Sequence, residues 1–272
     1  MRIDLHMHSN LSDGKLSPED LLRSCVSAGL DVVAITDHDI APRMAAGRHR
    51  LMGRNVFCLH GAEVSAMHRG VELHLLVFFP GQMPQEFREF LVVRAKERAD
   101  RYSQAIASMA LSGVQPPSSA DCAGERALTR LHLARALVEA GHVEGVRDAF
   151  QQWLGVERGH VPQLQLQSEE LIRKAHAMGG VVSWAHPDPE QLQEWCGELA
   201  EMGLDAIEVG RPGGGKASRD TSIRTAHRHR LLVSGGSDYH GWMGAPLGAF
   251  SFPLRLAKPL FRRLGVPTSD PN

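Results

Sequence analysis

The stretch Ile3-Asp4-Leu5-His6-Met7-His8 near the N-terminus alternates apolar and polar residues. That period marks a β-strand, whose successive side chains point to opposite faces. His6 and His8 therefore share a face, one pleat apart, where two imidazoles can grip one ion. Alone, such a pair decides little, because in a chain with fifteen histidines it also arises as a structural or incidental feature. Its weight comes from the ends of the strands that follow.

Working outward, strands are expected at residues 2–8, 31–36, 55–63, 71–79, 180–186, 205–209 and 231–237. Each adjoins a helix signal. Ser17-Pro18-Glu19-Asp20 supplies an N-cap, a proline at the first helical position and acidic first-turn residues, and Gly29 ends that helix. Ser168-Glu169-Glu170 starts another, closed by Gly179-Gly180. Alternating strands and helices imply a parallel sheet. Seven such strands predict an α/β fold, a distorted seven-stranded (β/α)7 TIM-like barrel, with an open doubly wound sheet as the rival. No strand pattern interrupts residues 83–164. Helices are expected there near 86–111, 129–140 and 146–154, with Pro116-Pro117-Ser118-Ser119 as a loop between the first two. The expected organisation is a barrel of residues 1–82 and 165–272 with a helical insertion, a substrate lid, at 83–164.

Polar residues gather at the strand ends. Thr36-Asp37-His38-Asp39 follows the second strand, and the third carries His60 and Glu63. Val71-Glu72-Leu73-His74-Leu75-Leu76 places His74 inside an apolar run, where in isolation a hydrogen-bonded core histidine is the plainer reading. Ala185-His186-Pro187 ends the fifth, and Gly236-Ser237-Asp238-Tyr239-His240 follows the last. The C-terminal face of such barrels holds active sites, and chance would scatter these residues over both ends. Histidines and carboxylates without a thiolate suit Zn²⁺, Mn²⁺ or Fe²⁺ in an open site rather than a closed structural zinc. Glu208 ends the sixth strand and faces either the site or the core.

Composition excludes several classes. Thirty basic residues against thirty-one acidic ones leave a net charge of −1, so no global field draws nucleic acid or anionic membrane, and any basic site is local. No apolar run approaches the roughly 20 residues of a membrane span, and Asp4, His6 and His8 stand where a signal peptide would be apolar. The expected location is cytoplasmic. Cys25, Cys58, Cys122 and Cys196 are far apart and read as reduced, buried thiols.

Four ordered motifs, Asp4-Leu5-His6-Met7-His8 with Asp13, Thr36-Asp37-His38-Asp39, Ala185-His186-Pro187 and Gly236-Ser237-Asp238-Tyr239-His240, resemble those of the PHP (polymerase and histidinol phosphatase) family of metal-dependent phosphoesterases. The resemblance covers most of residues 1–82 and 165–245, and Glu63 and His74 lie where that family has a bridging acid and a further ligand. It implies two or three divalent ions. His6, His8, Glu63 and Asp238 would hold the first. Glu63, His74 and His186 would hold the second, and Asp13, His38 and His240 the third. Some members have histidine at the position of Asp13; a carboxylate there favours Mn²⁺, with Fe²⁺ or Zn²⁺ as alternatives. Water on such ions is acidified to supply the nucleophile. Asp37 is a supporting catalytic candidate; it and Asp39 either accept from a ligand imidazole or face the substrate. No side chain is assigned as leaving-group acid.

The insertion bears on substrate. Arg98 and Arg101 are three apart on one helix face. Thr129 can cap the next helix, leaving Arg130 in a first turn where a cation opposes the dipole and an anion would relieve the conflict. A solvated charged face, with Glu97 and Asp100, is the plainer alternative. The insertion resembles the subgroup acting on nucleoside 3′,5′-bisphosphates and short RNA, which implies Arg98, Arg101, Arg130, His132 and Arg135 as substrate-binding residues. His132 and Arg135 have helix bracing as their alternative. The expected activity is removal of the 3′-phosphate from a nucleoside 3′,5′-bisphosphate, with a phosphorylated nucleotide or short RNA as partner and no protein partner. The rivals are a 5′→3′ exonuclease on short RNA, a histidinol phosphate phosphatase, and a non-enzymatic metal-holding module. Arg211-Pro212-Gly213-Gly214-Gly215-Lys216 is a glycine loop bordering the pocket, not a P-loop.

Overall fold

The computed structural model describes residues 1–114, 126–210, 212–213, 215–242 and 244–268. The expected loop at Pro116-Pro117-Ser118-Ser119, Cys122, and Arg211 and Gly214 of the glycine loop lie outside them.

Eight strands form one curled sheet: β1 (Ile3–Asp4), β2 (Val32–Ile35), β3 (Gly47–Leu51), β4 (Arg54–His68), β5 (Val71–Phe79), β6 (Val181–Trp184), β7 (Ala206–Glu208) and β8 (Leu232–Ser234). Seven lie on the path β1-β2-β4-β5-β6-β7-β8, with β3 beside β4. Between them run helices α1 (Pro18–Ser27), α2 (Gln85–Leu111), α3 (Arg130–Glu139), α4 (Val146–Ala149), α5 (Ser168–Ala177), α6 (Pro189–Glu201) and α7 (Lys216–Arg228), and α8 (Leu254–Leu264) follows β8. No described helix is long and apolar enough to cross a membrane.

The expected all-parallel barrel is corrected. β3 and β5 run antiparallel to their neighbours. The cause is two tight hairpins. Met52-Gly53 and Arg69-Gly70 both have positive φ, 51° and 75° then 50° and 79°, the conformation of a two-residue type I′ turn. Such a turn joins only antiparallel strands; a parallel return needs a dozen or more residues. The ladder is therefore a curled half-barrel sheet of mixed direction. Its first and last edges meet beyond the regular strands through His8 N–H to Tyr239 O (2.8 Å), Asp238 N–H to His6 O (2.8 Å) and a Met7–Tyr239 bridge.

The helices form where the sequence predicts. The Ser17 hydroxyl accepts from Asp20 N–H at 3.1 Å, and Leu21, Leu22, Cys25 and Val26 of α1 pack on Met7, Val33 and Ile35. The Asp188 carboxylate caps α6, accepting from the amides of Glu190 and Gln191. The main core lies between the sheet and helices α5, α6 and α8, around Leu75, Val77, Phe79, Trp184, Leu199 and Phe261. The helical segment between β5 and β6 builds a core of its own from Tyr102, Met109, Leu133, Leu137 and Leu154.

Candidate metal centre

Nine histidine and carboxylate side chains converge at one end of the sheet. His6 and His8 follow β1, Asp13 lies in the next loop, His38 follows β2, and His186 follows β6. Asp238 and His240 follow β8. Glu63 and His74 instead sit within β4 and β5, where Glu63 pairs with Leu76 and Ser65 with His74. Because β5 runs backwards, its first half rather than its end reaches the others. Glu63 is the hub. Its Oε2 lies 2.9 Å from His38 Nδ1 and 3.3 Å from the Nε2 atoms of His6 and His8. Its Oε1 lies 3.0 Å from His186 Nε2 and 3.1 Å from His74 Nδ1. Asp238 Oδ1 is 3.3 Å from His8, and Asp13 Oδ1 is 3.2 Å from His240.

The donor atoms fall into four ion-sized groups, each spanning under 4.8 Å: His8, Asp13, His38 and His240; His6, His8 and Asp238; His6, Glu63 and His186; His38, Glu63 and His74. They fit a divalent ion. Asp13 Oδ1, His38 Nδ1, Glu63 Oε2 and His74 Nδ1 are buried with no hydrogen-bond partner, although each has another donor atom close by. His6 Nε2 faces His8 Nε2 at 3.1 Å, lone pair toward lone pair unless one carries a proton. Buried polar atoms left unpaired cost about 1–3 kcal/mol each, a penalty that a shared cation removes. The set is all imidazole and carboxylate.

Electrostatics follow from burial and crowding. Burial alone would raise Glu63, but the imidazoles of His38, His6 and His74 outweigh it and hold the carboxyl well below its usual range. Burial would lower His74, yet Glu63 and Glu72 push it up to about 10. Asp13 and Asp238 likewise overcome burial to raise His240 to about 9. Burial takes His8 down to about 3, helped by His240 and His38.

A ring of acids orients these groups. Glu208 lies 3.2 Å from His6 Nδ1 and accepts from His186 N–H at 2.8 Å. It thus fixes which His6 nitrogen faces the centre. Asp37, the expected catalytic support, is buried and accepts from Ser9 N–H, Ser9 Oγ and Ser12 Oγ at 2.6–2.8 Å. It pins the loop that carries Asp13, and among the described residues no hydrogen bond or ion pair joins it to a ligand imidazole. Asp39 is taken by Arg98. His60, three residues from Glu63, faces the opposite side of β4, bonding Met44 O and Met83 N–H. Asp39, His186 and Asp238 have positive φ of 48°, 30° and 53°, left-handed strain of the sort that collects where structure is over-determined around a site. Gly236 is obligatory, since a Cβ there would sit 2.2 Å from His6 Cβ.

The five residues expected to bind substrate separate. Arg98 is buried and spent: Nε donates to Asp39 at 2.6 Å and Nη2 to Ser65 Oγ at 2.7 Å, tying α2 to the sheet. His132 closes the α3 capping box, its Nδ1 accepting from Thr129 N–H at 3.1 Å. Arg135 stacks on Trp242, its guanidinium carbon 3.2 Å from the ring centroid, while the indole N–H donates to Asp13 O at 2.7 Å. Arg101 and Arg130 converge on Glu72, at 2.8 Å and 3.6 Å. So an anion does relieve Arg130 in the first turn of α3, but it is a protein carboxylate. Sequence reasoning missed Glu72, which also lies 3.6 Å from His74 Nε2 and so joins the arginine pair to the metal centre. It missed Trp242 as well.

Comparison with known proteins places this arrangement. The PHP domain model matches residues 4–202. The chain belongs to the PHP domain family. This PHP protein is 31% identical to the Escherichia coli 5′-3′ exoribonuclease Rnm, over 87% of this chain and 84% of the relative. It is 27% identical to the Chromobacterium violaceum 3′,5′-nucleoside bisphosphate phosphatase over 96% of each. A Bifidobacterium adolescentis crystal structure of a candidate metal-dependent phosphoesterase superposes with a TM-score of 0.76 at 26% identity, covering 96% of each chain. The PHP chain is a metal-dependent phosphoesterase.

Proposed function

We propose that the protein removes the 3′-phosphate from nucleoside 3′,5′-bisphosphates to leave 5′-nucleotides, with two or three divalent ions, Mn²⁺ first among them, held by His6, His8, Asp13, His38, Glu63, His74, His186, Asp238 and His240. The observation that carries this reading is the cation pair Arg101 and Arg130, gathered by Glu72 beside His74. A monoester phosphatase has no need of a second anion site next to its metal centre; a bisphosphate does. Residues 83–164 would then act as the lid that brings these arginines over the centre.

When bound, the ions acidify water and neutralise phosphoryl oxygens. The chain's own residues do the rest. Glu208 and Glu72 hold His6 and His74 in register, Asp37 fixes the Asp13 loop, and the arginines hold the second phosphate so that the first is oriented for attack. Water oxygen bonds to phosphorus, the P–O3′ bond breaks, and the 3′-oxygen takes the proton. The same bond breaks when a 5′-phosphorylated RNA loses its first nucleotide, so 5′→3′ exonucleolysis is the second reading, favoured by the 31% relative. Histidinol phosphate fits less well: it has no second phosphate for the arginine pair.

Phosphate release by the Mn²⁺-loaded protein from adenosine 3′,5′-bisphosphate, beside 5′-AMP, 3′-AMP and histidinol phosphate, tests this. The bisphosphate is expected to lead in kcat/KM by on the order of 10²-fold, the size of two charge-assisted hydrogen bonds. Equal rates on 3′-AMP, or a preference for histidinol phosphate, would overturn it.

Metal uptake should be coupled to protons. In the metal-free protein His74 and His240 stay protonated at pH 7, with values of about 10 and about 9. Each gives up its proton before offering a lone pair, so affinity climbs with pH through neutrality. A raised imidazole stabilises the fold fully below its unfolded value and ceases to as pH passes its folded value. The metal-free melting temperature should therefore fall from near pH 7 toward 10 while the loaded protein changes less. Titration calorimetry in buffers of different ionisation enthalpy reads the released protons; a buffer-independent heat at pH 7 would refute the coupling.

A further inference from the structure

Asp13 and His240 belong to one ion-sized group, and the two loops that carry them are bonded to each other in both directions. Lys15 N–H donates to His240 O at 2.8 Å, and the Trp242 indole N–H donates back to Asp13 O at 2.7 Å. Between His240 and Trp242 the chain turns at Gly241, whose φ is 78° and where a Cβ would lie 3.1 Å from Lys15 Cβ, so the loops run in close contact. The first bond joins backbone to backbone. The second hangs on one side chain.

Trp242 is 40% exposed, so burial does little to hold its ring. What holds it is Arg135 of α3, whose guanidinium carbon lies 3.2 Å from the ring centroid, with Lys15 Nζ farther off at 5.8 Å. Arg135 comes from the helical segment between β5 and β6, which has a core of its own. The same segment reaches the Asp13 loop at Ala127, whose N–H donates to Leu11 O at 2.8 Å. An exposed cation–π contact is weak on its own. The stack therefore adds little to the fold, and it can open while the core of the segment stays intact.

A metal ligand holds its ion at full strength only when the groups behind it fix its orientation. Here the group behind Asp13 is itself held by another part of the chain. We propose that Trp242 is a positioning residue that couples the helical segment to the ion held by His8, Asp13, His38 and His240. Arg135 stacks the ring, the ring holds the Asp13 carbonyl, and that bond fixes the carboxylate, with Oδ2 3.6 Å from His38 and Oδ1 3.2 Å from His240. The coupling is reciprocal, because a free-energy link between two sites works in both directions. An ion that draws Asp13 inward tightens α3 against the sheet, and a segment that swings away loosens that ion alone, since the other three groups do not contain Asp13. This rests on the reading above that the nine residues hold ions, and not on the choice of substrate.

The test is equilibrium dialysis of the full chain against graded Mn²⁺, read by elemental analysis, with hydrogen exchange in α3 measured beside it. Trp242→Phe keeps a ring for Arg135 and removes the N–H; Arg135→Ala keeps the N–H and removes the stack. Each should weaken one ion by about tenfold, the low end of what losing an orienting group costs, and it should be the ion that Asp13→Asn removes. The double variant should bind no more weakly than Trp242→Phe alone, since two steps of one path are lost once. Mn²⁺ should slow exchange across α3 in the wild type and in neither variant. Turnover of adenosine 3′,5′-bisphosphate should fall in both variants at limiting Mn²⁺ and recover at saturating Mn²⁺, a rescue that a merely structural tryptophan would not show. Losses that multiply in the double variant, a weakening shared by every ion, or unchanged binding would each overturn the coupling. Asp13→Asn with wild-type binding would sink the ligand reading of that group, and the coupling with it. A wild type inert toward the bisphosphate would instead sink the substrate reading, and binding and exchange would still decide the coupling.

Discussion

Glu63→Gln is expected to abolish phosphoesterase activity and to strip the centre of metal. The substitution keeps the shape and removes one charge. Glu63 belongs to two of the four ion-sized groups and lies within 3.3 Å of five imidazole nitrogens, so no other residue can replace it. An amide offers one weaker oxygen and an N–H that points the wrong way toward a cation. The loss in kcat/KM should be on the order of 10³-fold, the scale for removing a preorganised charge from a water-excluded site. Elemental analysis alongside kinetics separates the causes: metal and activity should vanish together. A variant with normal metal content and normal turnover would mean that the centre is elsewhere. His6→Ala and Asp238→Asn should follow the same course.

The second large effect concerns the arginine pair. Arg101→Ala and Arg130→Ala should lower kcat/KM for adenosine 3′,5′-bisphosphate by about 10- to 100-fold each, from the loss of a charge-assisted contact to phosphate. Bound metal and activity toward a simple monoester such as 3′-AMP should be nearly untouched. Glu72 sharpens this expectation. It pairs with both cations, so an incoming phosphate competes with a carboxylate that is also close to His74. If bisphosphate and monoester fall in parallel in both variants, the pair serves the fold and not the substrate.

Much of the centre was legible in the sequence because strand alternation and strand ends are local properties. His6 and His8 at a two-residue interval, and Asp238 and His240 after a glycine turn, can be read without knowing the rest of the chain. Strand direction was less so. The seven residues between Glu63 and Val71 are too few for a parallel return, and Met52-Gly53 and Arg69-Gly70 are turn signals, but the helix signals elsewhere in the chain outweigh them and point to a parallel sheet. β3 was hidden because Gly47-Arg48-His49-Arg50-Leu51 has no apolar alternation; pairing with β4 alone makes it a strand. Glu72 could not have been found. A polar residue between Val71 and Leu73 is what any half-exposed strand shows, and its meaning depends on arginines 29 and 58 residues away. Arg98, equally, reads as a free cation until Asp39 is seen folded against it.

The order in which the donors occur along the chain sets what a shortened chain would keep. The His38, Glu63 and His74 group draws only on the first 74 residues, and the His6, Glu63 and His186 group only on the first 186. The remaining two groups need Asp238 and His240, and these also supply the backbone bonds that join the last edge of the sheet to the first. A chain shortened before residue 238 therefore keeps two of the four groups and loses the backbone bonds that join the two sheet edges.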